Sequence, residues 1–139
     1  MTDTVEANVA RTRRWYEEWN DEGLPGFERV WAPDIVLHEA RDFPETGVFR
    51  GAEALAAHVR DLLEDGGHFK MVPLSLEGRG DYVLSGVEVS VKGPASGAAV
   101  TTRFFQVMRY EDGRLKELYD YLDEERARSE YERLTAPER

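Results

Sequence analysis

The hydrophobic positions of this chain follow the period of helices in the first half and the period of strands in the second. Over residues 3–20, five side chains recur at the three-to-four-residue spacing of one helix face: Val5, Val9, Thr12, Tyr16 and Trp19. Asp3 and Glu6 have the spacing of a capping box, which places the start of the helix at Asp3. The first element is therefore predicted to be an amphipathic helix over residues 3–20.

Two short elements and a third helix are predicted before the period changes. A short helix starts at Leu24 and stops before Pro33, because a proline cannot continue a helix. A strand follows over residues 35–39, and residues 40–50 are predicted to form a loop. The third helix begins after Gly51 and carries one apolar stripe: Leu55, Val59, Leu62 and Leu63.

Alternation with a period of two begins at Phe69 and predicts four strands. Their alternating positions are Phe69 and Met71, then Val83 to Val91, then Val100 to Met108, and finally Leu118 to Leu122. Turns that contain glycine separate these runs at residues 78–81, 93–97 and 111–113. Helices first and strands afterwards predict an α+β fold, in which the helices cover one face of a curved sheet.

The last stretch, residues 124–139, is charged and helix-prone. Three apolar side chains lie among its charged residues: Ala127, Tyr131 and Leu134. We interpret this stretch as a solvated or partner-packed helix with a frayed end. No repeat, low-complexity tract or linker divides the sequence, so residues 1–139 are predicted to form a single domain.

Composition and charge exclude several classes of function. The 139 residues contain 28 Asp and Glu against 18 Lys and Arg, a net charge of −10, and 41% of them are hydrophobic. A core can therefore form, whereas the sequence offers no basic face for nucleic acid or an anionic membrane. Without cysteine there is no thiol nucleophile or zinc–thiolate site, and the N-terminus lacks a signal-peptide pattern. We expect a soluble, cytoplasmic protein that works without a cofactor.

Several segments resemble the nuclear transport factor 2-like superfamily, which includes ketosteroid isomerases, SnoaL-like polyketide cyclases and limonene epoxide hydrolases. The segments are WYEEWN at residues 15–20, APDIVLHE at 32–39, FRG at 49–51, VMRYEDGRL at 107–115 and YDYLD at 119–123. The resemblance covers nearly the whole chain, and these segments are specific for a fold rather than for a reaction. The chain thus looks like a single SnoaL-like domain.

The resemblance implies a cone-shaped α+β fold, with a curved, mostly antiparallel sheet wrapped round three N-terminal helices. It also implies a mostly apolar cavity for a small ligand, and a homodimer formed through the outer sheet face. Four alternate residues of one strand mix apolar and basic side chains on that outer face: Arg103, Phe105, Val107 and Arg109. The predicted partners are therefore a small apolar molecule and a second copy of the chain.

Alternation brings two polar residues to the inner face of the predicted sheet. Gln106 shares its face with Phe104 and Met108, and Asp120 lies between the apolar positions Leu118 and Leu122. A carboxyl group buried among leucines costs several kcal/mol unless it is paired or used. Asp120 and Gln106 are therefore candidate functional residues.

The resemblance suggests roles for these and other residues. Glu39 matches the general-base aspartate of ketosteroid isomerases, Gln106 the position of their protonated acid, and Trp15 that of their tyrosine. Asp120 matches an aspartate at the end of the epoxide hydrolase strand, and His58 an aromatic residue of the isomerase cavity. We predict Asp120 and Glu39 as an acid–base pair, with Gln106 and His58 as further catalytic residues.

Each candidate also has a structural interpretation. Asp120 can be a buried acid held by hydrogen bonds, Glu39 a rim residue in water, and His58 a histidine satisfied by a carbonyl group. Together with His38, these residues match no short metal-ligand spacing, so no metal site is predicted.

Nine residues are predicted to line the cavity and bind the substrate: Trp15, Tyr16, Trp19, Phe43, Val59, Phe69, Val87, Phe104 and Leu122. So many aromatic rings favour a flat or polycyclic apolar ligand. Two functions stay open at this point. One is a cofactor-independent isomerase, cyclase or hydrolase, and the other is a non-catalytic ligand-binding or dimerisation module of the same fold.

Overall fold

The structure, a computed structural model, describes residues 4–39, 47–66, 69–92 and 99–137. Within these residues the chain forms, in order, α1 (Val5–Glu22), α2 (Leu24–Glu28), β1 (Trp31–Glu39), β2 (Val48–Arg50), α3 (Ala52–Gly66), β3 (Phe69–Arg79), β4 (Tyr82–Lys92), β5 (Ala99–Glu111), β6 (Arg114–Tyr121) and α4 (Glu124–Thr135). Three helices and the strands β1 and β2 thus come before the four consecutive strands β3 to β6.

The strands pair into one curved, unclosed sheet with the order β2-β1-β6-β5-β4-β3. Every neighbouring pair is antiparallel except β1 and β6, which run parallel. Strands β3 to β6 form the predicted meander, since each pairs with the next along the chain. The expected α+β class with a mostly antiparallel sheet is confirmed.

Helix α1 buries one side, which carries two polar and three aromatic residues: Asn8, Thr12, Trp15, Tyr16 and Trp19. The helix begins at Val5 rather than at residue 3, and Thr4 is its N-cap. The Thr4 hydroxyl accepts a hydrogen bond from the Ala7 amide at 3.0 Å, which satisfies one of the free N–H groups of the first turn. The predicted start is therefore wrong, and Asp3 lies outside the described residues.

The region after α1 differs from the prediction in two respects. Helix α2 ends at Glu28 and β1 already begins at Trp31, so Pro33 lies inside a strand instead of stopping a helix. The pairing of β1 with β6 is irregular between Trp31 and Val36, where a residue without an N–H donor is tolerated. The predicted loop also contains the short strand β2, Val48–Arg50.

The C-terminal helix α4 packs on the outer face of its own sheet. Ala127 and Tyr131 are buried in a cluster with Leu84 of β4 and Val107 of β5. The Arg79 guanidinium lies over the Tyr131 ring, 5.2 Å from its centroid. The apolar side of this charged helix is thus neither solvated nor left for a partner, because the chain's own sheet covers it.

Candidate functional site

A cavity of about 270 Å³ lies between the N-terminal helices and the inner sheet face. Its walls are almost entirely apolar: Trp15, Phe27, Trp31, Leu37, Leu55, Val59, Leu62, Phe69, Met71, Val89, Phe104 and Leu118. Five polar side chains complete the lining: Glu39, His58, Thr102, Gln106 and Asp120. A cavity of about 150 Å³ can hold benzene, so this one has room for a ligand of about two fused rings.

Strand register places three of these polar side chains in a row. Glu39 of β1 pairs with Asp120 of β6, and Asp120 pairs with Gln106 of β5. Directly paired residues point to the same face of a sheet, so all three reach the cavity together. Ser85 of β4 pairs with Gln106 and continues the row, but it is fully buried and does not line the cavity.

Gln106 connects Asp120 to helix α1. Its Nε2 donates a hydrogen bond to Asp120 Oδ1 at 2.9 Å, and its Oε1 accepts one from the Tyr16 hydroxyl at 2.6 Å. The Tyr16 hydroxyl is also 2.6 Å from Ser85 Oγ. The buried side of the row is therefore satisfied from within the protein, as buried polar groups require.

His58 of α3 meets Glu39 at the other end of the row. His58 Nε2 is 2.6 Å from Glu39 Oε1, and both side chains are only 8% exposed. The imidazole ring stacks on Phe49 of β2, with the ring centroids 4.1 Å apart. The hydrogen bond and the stacking fix the orientation of the ring, so Glu39 and His58 form a pair.

Burial raises the pKa of Asp120 to about 7, because apolar walls solvate a carboxylate poorly. The hydrogen bond from Gln106 lowers this pKa, the charge of Glu39 raises it, and His58 lowers it. An acid with such a pKa populates both protonation states near neutral pH. Asp120 can therefore give or take a proton under these conditions.

Trp15, which the resemblance matches to the tyrosine of ketosteroid isomerases, uses its indole N–H in a structural contact. Its Nε1 donates to the Phe27 carbonyl oxygen at 3.2 Å, and its ring stacks on that of Phe27. The indole N–H is therefore occupied, although the ring lines the cavity. The α1 hydroxyl that approaches Gln106 belongs to the next residue, Tyr16.

The structure brings part of the predicted lining set to the cavity. Four predicted residues line it: Trp15, Val59, Phe69 and Phe104. The four residues with predicted catalytic roles also line it: Glu39, His58, Gln106 and Asp120. All four side chains are therefore within reach of a ligand bound in the cavity.

The other predicted lining residues lie elsewhere. Tyr16, Trp19 and Val87 do not line the cavity, since all three are fully buried in the core. Phe27 and Phe69 pack against Trp19 and line the cavity in its place. Two more predicted residues fall outside the site: Leu122 lies beyond the end of β6 and is 40% exposed, and Phe43 is outside the described residues.

Two contacts of the candidate site were not predicted from the sequence. Ser85 interrupts the apolar positions Val83 and Val87 of β4, so the alternation that revealed Gln106 carries the same signal for it. Phe49, which stacks on His58, has no such signal, because it lies in a segment predicted as a loop.

The remaining described histidine lies on the outer face. His38 stacks on Tyr119 with the centroids 4.4 Å apart, and its Nε2 is 3.1 Å from Glu117 Oε2. Across the parts of the chain that the structure describes, no group of three or more Asp, Glu or His side chains is arranged to hold a metal ion. None of the described helices is both long and apolar enough to span a membrane.

Comparison with known families identifies the class of the protein. The sequence profile of the SnoaL-like domain matches residues 12–118, from α1 into β6. Because this match covers most of the chain, the protein belongs to the SnoaL-like domain family. Among curated proteins, none matches the sequence.

Solved structures show the same fold at low sequence identity. An NTF2-like protein of unknown function from Burkholderia pseudomallei is 22% identical, with a TM-score of 0.71 over 94% of this chain and 98% of the other. A candidate SnoaL-like polyketide cyclase from Jannaschia sp. is 19% identical, with a TM-score of 0.68 over 94% and 93%. TerC, co-crystallised with polyporic acid, is 16% identical, with a TM-score of 0.71 over 94% and 98%. The resemblance to the nuclear transport factor 2-like cone is thus confirmed.

Proposed function

We propose that this protein is a cofactor-independent enzyme that moves a proton on a small apolar substrate bound in the cavity. The observation that carries the proposal is the convergence of three titratable side chains on one apolar cavity. Glu39, His58 and Asp120 come from three different elements and line a space whose other walls are mainly hydrocarbon. Such a grouping is typical of acid–base sites.

Each titratable group has its own role in this proposal. Asp120 is the group that exchanges a proton with the substrate, since it is balanced between its two protonation states near neutral pH. Gln106 donates a hydrogen bond to Asp120 Oδ1, and the Asp120 side chain lines the cavity in which the ligand binds. The Glu39–His58 pair is the second proton carrier, placed one strand away from Asp120.

The reaction class that fits this arrangement is isomerisation or cyclisation through an enol, or addition of water. Each of these needs one group to remove a proton and a second to deliver one, and none needs a redox partner. Structural relatives include a candidate polyketide cyclase from Jannaschia sp. and a candidate hydroxylase, AclR, from Streptomyces galilaeus. The name of the first relative is in line with the cyclisation proposed here, whereas that of the second denotes a different reaction on the same fold.

A second function is favoured by the lining itself. Twelve of the cavity-lining residues are apolar, and the buried polar atoms of Gln106 are already satisfied by Tyr16 and Asp120. A non-catalytic ligand-binding module has the same features. The two functions differ in whether Asp120 exchanges protons with a bound ligand.

Proton exchange in deuterium oxide tests the proposal without knowledge of the natural substrate. Bicyclic ketones such as indanone and tetralone match the cavity in size and carry exchangeable protons beside the carbonyl. We expect the protein to speed deuterium incorporation, measured by mass spectrometry, and Asp120→Asn to slow it by about 10²- to 10⁴-fold. Asp81→Asn removes an exposed turn carboxylate and serves as the matched control.

The outcomes separate the two functions. Exchange that depends on Asp120 but not on Asp81 supports the enzyme. Equal exchange by wild type and Asp120→Asn refutes the role of Asp120. Ketone binding seen by NMR, without any accelerated exchange, favours the binding module over the enzyme.

A further inference from the structure

Two buried hydroxyl groups lie behind the cavity and have no part in the proposed reaction. Tyr16 of α1 and Ser85 of β4 are both fully buried, and their oxygens are 2.6 Å apart. Neither residue lines the cavity. They are hydrogen-bonded to the site through Gln106, whose Oε1 is 2.6 Å from the Tyr16 hydroxyl.

Proton counting gives these hydrogen bonds a direction. A tyrosine hydroxyl has one proton, and Tyr16 donates it to Gln106 Oε1. Ser85 must then donate to the Tyr16 oxygen. Because Gln106 Oε1 accepts, its Nε2 carries the protons and donates to Asp120 Oδ1. Every bond from Ser85 onward therefore points its proton towards Asp120.

We propose that Tyr16 and Ser85 are positioning residues that lock the Gln106 amide with its N–H towards Asp120, and thereby decide which proton state of Asp120 the site favours. This inference rests on the proposed function, in which Asp120 exchanges the proton. It adds to the proposed site two residues that do not contact the ligand.

The physical basis is the near symmetry of an amide group. Oxygen and nitrogen of Gln106 have nearly the same size, so rotation by half a turn costs little unless a neighbour distinguishes them. Tyr16 is that neighbour, because its donated proton requires an oxygen. After such a rotation the amide oxygen faces Asp120, and only a protonated carboxyl can donate to it.

The orientation of the Gln106 amide leaves the other groups around Asp120 unchanged. Glu39 of β1 raises the pKa of Asp120 and His58 of α3 lowers it, whereas Gln106 of β5 acts on it through a hydrogen bond. Tyr16 of α1 is hydrogen-bonded to the oxygen of the same amide whose nitrogen donates to Asp120. Changes at Tyr16 or Ser85 therefore reach Asp120 through Gln106, with Glu39 and His58 left in place.

The test is a titration of the Asp120 carboxyl carbon by NMR, with the signal assigned by comparison with Asp120→Asn. We expect Tyr16→Phe to raise the pKa of Asp120 by about 1, a tenfold change in proton affinity, because the amide loses its orientation. Ser85→Ala should raise this pKa by less, since it only weakens the polarisation of the Tyr16 hydroxyl.

Tyr110→Phe is the matched control. Tyr110 is a buried tyrosine whose hydroxyl is 2.7 Å from Thr12 of α1, so its loss removes the same kind of buried bond and leaves the hydrogen bonds of Gln106 intact. The control should leave the pKa of Asp120 unchanged. An equal effect of Tyr16→Phe and Tyr110→Phe would overturn the proposal, as would a lowered pKa.

Two features keep the test independent of folding and of the proposed reaction. Ser85→Ala removes one oxygen atom and leaves the packing intact. The pKa of Asp120 can therefore be measured in this variant even if Tyr16→Phe fails to fold. The titration needs no substrate. If ketone exchange fails while the pKa responds to Tyr16 as expected, the positioning inference stands and the proposed reaction falls.

Discussion

Two carboxylates of β6, Glu117 and Asp120, show how surroundings set the chemistry of one side chain type. Burial alone would raise the pKa of Glu117, but hydrogen bonds from Tyr119, Arg109 and His38 outweigh it and lower that pKa. Asp120 receives one hydrogen bond, from Gln106, and burial prevails. The outer face thus stabilises a charge, whereas the inner face holds a group that titrates.

The raised pKa of Asp120 predicts a pH-dependent effect on stability. Between its ordinary value of 3.8 and about 7, the folded protein binds a proton that the unfolded chain has released, so stability falls as pH rises through this range. We expect Asp120→Asn to stabilise the protein, and to do so by about 2 kcal/mol more at pH 8 than at pH 5.

Urea unfolding at the two pH values measures this difference. Asp81→Asn is again the control, and its effect should not change between pH 5 and pH 8. An Asp120→Asn effect of the same size at both pH values would mean that the folded protein does not hold Asp120 protonated.

At the scale of elements, two packing arrangements assemble the site. The parallel pairing of β1 with β6 brings Glu39 beside Asp120, although they lie far apart in sequence. Helix α2 carries Phe27 to the cavity wall by packing directly on α1 at Gly26. A Cβ at Gly26 would lie 2.5 Å from the Glu18 carbonyl oxygen, which belongs to the helix backbone and cannot move aside.

Gly26→Ala tests the second arrangement. We expect it to lower the free energy of unfolding by about 1–3 kcal/mol, because the added methyl group forces α2 away from α1. Glu28→Ala changes an exposed residue of the same helix and should stay within about 0.5 kcal/mol of wild type. Chemical denaturation gives both values, and equal stability of the two variants would show that the contact at Gly26 is loose.

At the scale of the whole molecule, the two faces of the sheet pack against different parts of the chain. The inner face and the N-terminal helices enclose the cavity, while α4 covers the outer face at Leu84 and Val107. A homodimer through the outer face stays a prediction, and α4 restricts it to the uncovered part. Val72 of β3, which is 38% exposed and pairs with Glu88, lies on that part.

Sedimentation velocity at micromolar concentration tests the dimer. We expect the mass of a dimer for wild type and of a monomer for Val72→Glu, because a buried charge without a partner opposes association. Ala57→Glu adds the same charge at an exposed position of α3 and should leave the dimer intact. A monomeric wild type would refute the predicted interface.

Much of the fold and part of the site were predictable from local pattern. Alternation placed Gln106 and Asp120 on the inner face, because side-chain direction in a strand depends only on the parity of position. The start of α1 and the position of Pro33 inside β1 were not predictable in this way, since capping and strand pairing depend on contacts that alternation does not encode. The true contact of Trp15 depended likewise on where α2 lies.

The sequence alone therefore determined the α+β class, the strand meander and the inward direction of the key polar side chains, all of which follow from short-range periodicity. Only the tertiary structure decided how these side chains combine. Strand register set Glu39, Asp120 and Gln106 side by side, and helix packing added His58 at one end and Tyr16 at the other. Contacts between distant segments have no local signature, and in this protein those contacts decide the proton chemistry of the site.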